Sequence, residues 1–330
     1  METVIASALT RSLLAAITEP TTDLLGAGYP VALPTETVYG LAANALDPNA
    51  ILRIFQTKER PFFDPLIVHI PDIDWLGKLT TIPDEDWYLV ESLIGKYWPG
   101  PLTMVLPRKP IVPDVVTAGL ETVAIRMSAH PVFDHIVKAF GKPLAAPSAN
   151  RFGRISPTCA ADVKEELGGR IRLIVDGGRT THGIESTIVL IKLGKMFVLR
   201  SGPITAEELE KVGPVSQVSP GAKPTVPGQM KSHYAPTTPL ELLPPDAAPW
   251  WDGAEKAGLL AWCGADDIGA FRNVEILSPS GCLNEAAATL FQKLRRLDSF
   301  GLDRIVAESV PEIGIGVAIM DRLRKAAAHG

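Results

Sequence analysis

ALPTETVYGLAANA, Ala32 to Ala45, continues the apolar run Val31–Leu33 into a proline, two threonines, a glutamate and a glycine. The run reads as the end of a buried strand. Pro34, Thr35, Thr37 and Gly40 then supply the turn-forming and hydroxyl groups of a strand exit. The stretch after Gly40 is helix-like. A strand end, a loop and a helix in succession predict an α/β architecture.

Outward from this stretch, short apolar runs recur: PVAL, PLIVHI, PLTMVL, TVAIRM, PLAAPS, RLIVDGG, STIVLI and MFVLR. Each has strand length and is closed by Gly, Pro or Ser. In DPNAILRIFQTKER, Asp47 suits an N-cap, Pro48 the first helical position, and Ile51, Ile54 and Phe55 one face, with Pro61 ending the helix. VIASALTRSLLAAI near the N-terminus predicts an amphipathic surface helix. Several strand runs follow one another with only turn-like links, which predicts a twisted, mixed sheet in one large domain. From Gly213 to Pro245 prolines crowd the sequence and exclude a regular helix. Beyond them AGLLAWC, NVEIL and DRIVAES read as strands, and NEAAATLFQKLRRLDSFG reads as a helix capped by Asn284. The expected organisation is a large domain over residues 1–212, a Pro-rich linker over 213–245 and a smaller α/β domain over 246–330.

The chain has 330 residues, 46% hydrophobic and 21% charged, with 32 Lys and Arg against 37 Asp and Glu. The net charge of −5 provides no global basic field for a polyanion, so any RNA contact is expected to be local and weak. Three scattered cysteines argue against a disulfide framework or a thiolate zinc site and fit a reducing cytoplasm. No run approaches the roughly 18 apolar residues of a membrane span.

A P-loop, an H-E-x-x-H pair and a G-x-S-x-G elbow are all missing. GIGVAI, Gly314 to Ile319, has Ile where a dinucleotide loop has its third glycine, and reads as a tight turn into a helix. What remains is a set of cations and hydroxyls at strand ends. Lys58 and Arg60 follow a helix, and His69 lies on a strand. In TVAIRM, Thr122, Ala124 and Arg126 share one face, with Arg126 roughly 13 Å from Thr122. Ser148, Asn150, Arg154, Ser156, Ser186, Thr187 and Arg200 complete the set. Guanidinium groups among hydroxyls and Gly/Pro turns suit a phosphate and carboxylate site.

PTETVYGL, KERPFFDPLIVH, WPGPLT, AGLETVAIRMSAHP, APSAN, DGG, GIESTIV and LRSGPIT together resemble the YrdC/Sua5 family of threonylcarbamoyl-AMP synthases. PGQMKSHYAP and the C-terminal remainder are similar to the linker and Rossmann-like domain of its long, two-domain members. The resemblance implies a YrdC-like catalytic domain that joins L-threonine, bicarbonate or CO2, and ATP, with Mg²⁺, into threonylcarbamoyl-AMP and pyrophosphate. The product serves t6A modification of tRNA at position 37 through a downstream threonylcarbamoyl-transferase machinery. By motif, Thr37, His69, Arg126, the backbone of Ala146, and Ser186 would hold L-threonine. Arg60, Asp64, Thr122, Ser148, Ser156, Arg200 and Tyr234 would contact ATP, with Lys58 and Asn150 close to the phosphates. Lys58 and Arg60 would act by positioning and charge stabilisation, without a covalent nucleophile. Tyr234 would reach over the nucleotide from a stiff linker acting as a lid. The family usually has Asn where this chain has Asp64, so an acceptor-only anion replaces a donor there. The Mg²⁺ ligands, Thr35, Glu36 and Glu185 receive no assignment. Two other readings are an O-carbamoyltransferase, which would need additional modules, and a non-catalytic double-stranded RNA-binding module, which the acidic balance disfavours.

Overall fold

The computed structural model describes residues 1–216, 233–245, 247–264 and 269–328. In chain order the elements are β1 Val4–Ser7, α1 Arg11–Gly26, β2 Val31–Leu33, β3 Gly40–Asn44, α2 Pro48–Lys58, β4 Ile67–His69, α3 Asp74–Leu79, α4 Asp84–Tyr97, β5 Leu102–Pro107, α5 Asp114–Thr117, β6 Thr122–Arg126, α6 Pro131–Phe140 and β7 Leu144–Ala145. There follow α7 Ala160–Leu167, β8 Leu173–Asp176, β9 Thr187–Lys192, β10 Lys195–Arg200, α8 Ala206–Glu210, β11 Val215–Ser216, β12 Leu240–Leu242, β13 Ala257–Ala261, β14 Asn273–Ile276, α9 Leu283–Asp298, β15 Arg304–Ala307 and α10 Gly316–Ala327.

The chain divides into two compact units. One comprises Met1–Phe152, Pro157–Thr180 and Glu185–Gln229; the other comprises Gly153–Ser156, Thr181–Ile184 and Met230–Gly330. In the first, the described residues form an eleven-stranded sheet in the order β1-β8-β2-β3-β7-β4-β6-β5-β9-β10-β11. Parallel pairs such as β4·β6 and β5·β9 alternate with antiparallel ones such as β5·β6 and β9·β10, so the sheet is mixed as expected.

Alternation along β2 separates two cores. Ala32 joins Leu41, Phe55, Val90 and Ile125 on one face, while Val31 and Leu33 join Leu25, Phe133, Ile136 and Val175 on the other. Strands buried on both faces explain why so many runs are apolar without clean alternation. In α2, Asp47 caps through its carboxylate to the Asn49 N–H at 2.9 Å, with Pro48 in the first turn, and Ile51, Ile54 and Phe55 are buried. The helix stops at Lys58 because Glu59 takes a left-handed conformation with φ of 55°, ahead of Pro61.

Two expectations are corrected. The helix-like GLAAN is strand β3, paired antiparallel to β2 with Val31 opposite Ala42 and Leu33 opposite Gly40. Small alanines favour a helix locally, but here they lie in a fully covered sheet beside β7, where tertiary pairing overrides propensity. Gly40 suits a close approach, since a Cβ there would stand 3.1 Å from that of Ala146 and force a small shift. Likewise Val4–Ser7 forms β1, parallel to β8, and the predicted N-terminal helix starts only at Arg11, where the Thr10 hydroxyl accepts the Leu13 N–H at 3.3 Å.

The second unit contains a parallel four-stranded sheet, ordered β12-β15-β13-β14 among the described residues. The three runs read as strands are β13, β14 and β15. Helix α9 begins ahead of the expected Asn284 cap, because the Ser278 hydroxyl accepts the Cys282 N–H at 2.8 Å and organises the entry. Gly316 opens α10 where a Cβ would collide with the Pro311 carbonyl, and GIGVAI is a tight turn running into this helix. Part of the predicted linker, residues 217–232, lies outside the described residues; β12 falls within the rest of it.

Candidate functional site

The β2–β3 hairpin carries the loop Pro34–Tyr39. Thr35 shapes it from inside: its hydroxyl donates to the Val38 carbonyl at 2.7 Å and accepts the Thr37 and Val38 N–H groups at 3.1 and 3.2 Å. Its oxygen also lies 2.8 Å from the Thr37 hydroxyl. Main-chain bonds from Leu41 N–H to the Pro147 carbonyl and from Ala149 N–H to the Tyr39 carbonyl fasten the hairpin to the Ala146–Asn150 segment.

Arg126 is the last residue of β6. Register places His69 of β4 on one side of it and Thr103 of β5 on the other, so these three side chains share a face. The rung before, with Ile67, Ala124 and Val105, is apolar. A polar row therefore begins where the apolar face ends. The Arg126 guanidinium donates from Nη1 to the Thr37 hydroxyl at 3.0 Å and from Nε to the Gly100 carbonyl at 3.2 Å. Its Nη2 lies 2.7 Å from the Glu36 carboxylate. Glu36 in turn accepts from the Ser128 hydroxyl at 2.5 Å and the Ala129 N–H at 3.2 Å. Burial pushes the Glu36 carboxyl up, but Arg126 and the Ser128 hydroxyl outweigh it and hold the group at about 2.

His69 is buried with neither ring nitrogen meeting a partner in hydrogen-bonding geometry, and its ring packs on Phe133 at 4.8 Å. Burial, then the Arg126 charge, lowers its pKa to about 3, so the imidazole is neutral at neutral pH. Thr103 continues the row to Ser186, with 2.8 Å between the hydroxyl oxygens. Arg200, at the end of β10, donates to both the carbonyl and the hydroxyl of Ser186, each at 3.0 Å.

A second cluster forms where α2 ends. The Lys58 ammonium donates to the Ser148 and Asn150 carbonyls, both at 2.5 Å. Burial, with Arg60 beside it, pushes this ammonium well below the usual lysine range. Arg60 turns into its own loop, donating to the Pro65 carbonyl at 2.8 Å and pairing with Asp64 at 2.9 Å. The Asp64 carboxyl is raised by burial, which Arg60, Lys58 and Arg200 only partly offset.

The structure thus brings Thr37, Arg126 and His69 together, reaches Ser186 through Thr103, and links the clusters through Arg200, whose charge acts on Asp64. Ala146 follows β7 and donates its N–H to the Ile67 carbonyl at 3.0 Å. Ser148 is half-buried opposite Gly40, and Asn150 is buried. Thr122 stands at the opposite end of β6 from Arg126. Ser156 and Tyr234 belong to the second unit. There Tyr234 is buried with φ of 65°, stacks on Phe291 at 5.5 Å and has the Arg322 guanidinium 5.6 Å from its ring. Sequence reasoning left Glu36 unassigned and missed Thr103 and Ser128; strand register reveals Thr103, and the contacts to Arg126 and to one another reveal Glu36 and Ser128. Among the described residues no three His, Cys, Asp or Glu side chains converge to hold a metal ion. A magnesium ion arriving with a nucleotide would rest on phosphate oxygens and water, as Mg²⁺ commonly does.

A mixed α/β sheet whose strand ends present buried cations and hydroxyls suits an enzyme that works by positioning charged substrates. Comparison with known proteins specifies it. A family profile described as telomere recombination, covering Sua5, YciO and YrdC, matches residues 23–202, and one described as threonylcarbamoyl-AMP synthase, C-terminal domain, matches residues 204–328. The chain is 40% identical over 320 residues to the threonylcarbamoyl-AMP synthase of Pyrococcus abyssi, covering 92% of this chain and 91% of the relative. It is 42% identical over 313 residues to that of Bacillus subtilis, covering 90% and 89%. The crystal structure of P. abyssi Sua5 complexed with L-threonine matches with a TM-score of 0.86 at 37% identity, over 98% of both chains. The chain belongs to the Sua5/YrdC family of threonylcarbamoyl-AMP synthases.

Proposed function

We propose that this enzyme makes threonylcarbamoyl-AMP and pyrophosphate from L-threonine, bicarbonate or CO2, and ATP. The observation that carries the reading is the row His69, Arg126, Thr103 and Ser186 beside Thr37: a fixed guanidinium for a carboxylate, flanked by hydroxyls. The P. abyssi relative was solved with L-threonine, and the full-length match to synthases favours this reading over the O-carbamoyltransferase and the RNA-binding module.

In this reading Arg126 takes the threonine carboxylate, with Thr37, His69, Ser186 and the Ala146 backbone around the amino acid. The neutral amine attacks the carbon of CO2, releasing one proton, or that of bicarbonate, releasing water, to give a carbamate. A carbamate oxygen then attacks the α-phosphorus, and pyrophosphate leaves. Lys58 and Arg60, with Asn150, Ser148 and Arg200, stabilise the phosphate charge; Asp64 reaches this region already neutralised by Arg60. A polyanion beside Lys58 favours its ammonium form, restoring the charge that burial opposes. Mg²⁺ arriving with ATP supplies further charge neutralisation on the phosphates. Thr122, Ser156 and Tyr234 are assigned to ATP by the family pattern alone. The product would pass to a threonylcarbamoyl-transferase machinery acting on tRNA position 37 in the cytoplasm. Among the described residues no helix is long and apolar enough to cross a membrane.

Pyrophosphate release measured with each substrate omitted in turn tests the proposal. Release is expected to need L-threonine, bicarbonate and ATP together; release undiminished without threonine would refute it.

A further inference from the structure

We propose that Glu36 is a positioning residue for amino-acid recognition: its carboxylate fixes the Arg126 guanidinium on the row facing Thr103 and His69, so that Arg126 is preset for the threonine carboxylate. The inference rests on the reading of Arg126 as the threonine carboxylate's partner and adds a residue to it.

The argument starts from what a lone arginine at a strand end would do. Its side chain carries about 2 kcal/mol of rotamer entropy and many accessible orientations. Arg126 has three anchors instead: the Gly100 carbonyl on Nε, the Thr37 hydroxyl on Nη1 and Glu36 on Nη2. Two of these, Thr37 and Glu36, come from the same hairpin loop, one residue apart. Glu36 is itself held from the far side by the Ser128 hydroxyl and the Ala129 N–H. Those donors follow Arg126 by two and three residues. The segment Arg126–Ala129 therefore supplies both the cation that Glu36 orients and the donors that orient Glu36. This closed circuit staples the β2–β3 loop to the end of β6.

Its chemistry excludes a proton-transfer role for Glu36. The carboxylate oxygens are engaged by a guanidinium, a hydroxyl and an amide, and the group is held near the bottom of the carboxylate range, so it is a poor base. It also leaves the Glu36–Arg126 pair neutral. A zwitterionic amino acid can then enter without burying an uncompensated protein charge, and Arg126 keeps the preorganised fork that recognises a carboxylate.

The test uses the full chain with Glu36→Gln, Ser128→Ala and Arg126→Ala, measuring kcat and KM for each substrate by pyrophosphate release, and L-threonine affinity by calorimetry. Glu36→Gln keeps an acceptor but loses the charge, so KM for L-threonine should rise about tenfold. In the same variant kcat and KM for ATP should stay within about twofold of the parent. Ser128→Ala, which loosens Glu36 from behind, should raise the same KM by a smaller factor. Loss of kcat in Glu36→Gln at unchanged threonine KM would overturn the inference by placing Glu36 in the chemistry. Unchanged kinetics in Glu36→Gln, with threonine affinity lost in Arg126→Ala, would overturn it while leaving the threonine site intact. Unchanged threonine affinity in Arg126→Ala would overturn the site reading and this inference together. Should Glu36→Gln not fold, Ser128→Ala decides: a raised threonine KM supports the positioning role and an unchanged one overturns it.

Discussion

Glu36 meets Arg126 at 2.7 Å and Asp64 meets Arg60 at 2.9 Å, and both carboxylates are buried, yet their acidities move in opposite directions. Burial raises both. Glu36 is rescued by a guanidinium plus two further donors from one short segment, and ends at about 2. Asp64 has the Arg60 contact and only more diffuse charges beyond it, and burial prevails. An ion pair of good distance therefore does not by itself make a comfortable buried anion; hydrogen-bond donors complete the solvation that water gave. The Glu36–Arg126 pair is locked by donors on its far side. Among the described residues the Asp64–Arg60 pair has no comparable set of donors to its carboxylate to offset burial.

Breaking the locked pair should have the largest effect. Arg126→Ala leaves Glu36 buried without its cation, so stability should fall by about 3–5 kcal/mol and L-threonine binding should be lost; chemical denaturation and calorimetry check both. The unsatisfied pair should respond the other way. A carboxyl whose folded pKa lies above its unfolded value binds protons more readily when folded, so its contribution to stability declines as pH rises through the folded pKa. Asp64→Asn removes this penalty, and the variant should match or exceed the parent in stability at neutral pH, with the difference closing at acid pH. Glu36 gives the opposite slope: its contribution is present above about 4.5 and lost as pH falls toward about 2. Denaturation midpoints from neutral pH down to about 2, parent against Asp64→Asn, measure the contrast. The smallest expected effect lies on the hydroxyl chain: Thr103→Val removes the contact to Ser186 and should cost about 1 kcal/mol, read as a few-fold rise in threonine KM with ATP KM unchanged.

The strands were legible because two-sided burial writes them as compact apolar runs, and α2 because Asp47, Pro48 and its apolar spacing agree. The β2–β3 hairpin was misread because Leu41–Asn44 carries small residues that suit a helix, and only pairing with β2 and β7 decides otherwise. Family motifs pointed to Thr37, His69, Arg126 and Ser186, each in a recognisable local pattern, and the structure brings these residues near one another. Glu36 lies in the same motif but acts on Arg126, ninety residues later; nothing local records that pairing. Thr103 was hidden for a related reason, since a threonine within an apolar strand looks like packing until register sets it beside Arg126.

The strand order has a consequence for how the chain is born. Among the described residues β1 pairs only with β8, so Val4 must wait for Leu173; Thr187 slots beside Leu102, and Ser186 is held by Arg200. A chain emerging N-terminus first has its opening strand made long before its ladder partner exists, and contacts this distant in sequence form slowly. The Arg200–Ser186 contact cannot form until synthesis has passed Arg200. Until then the growing sheet carries unpaired edges that need shielding from other chains.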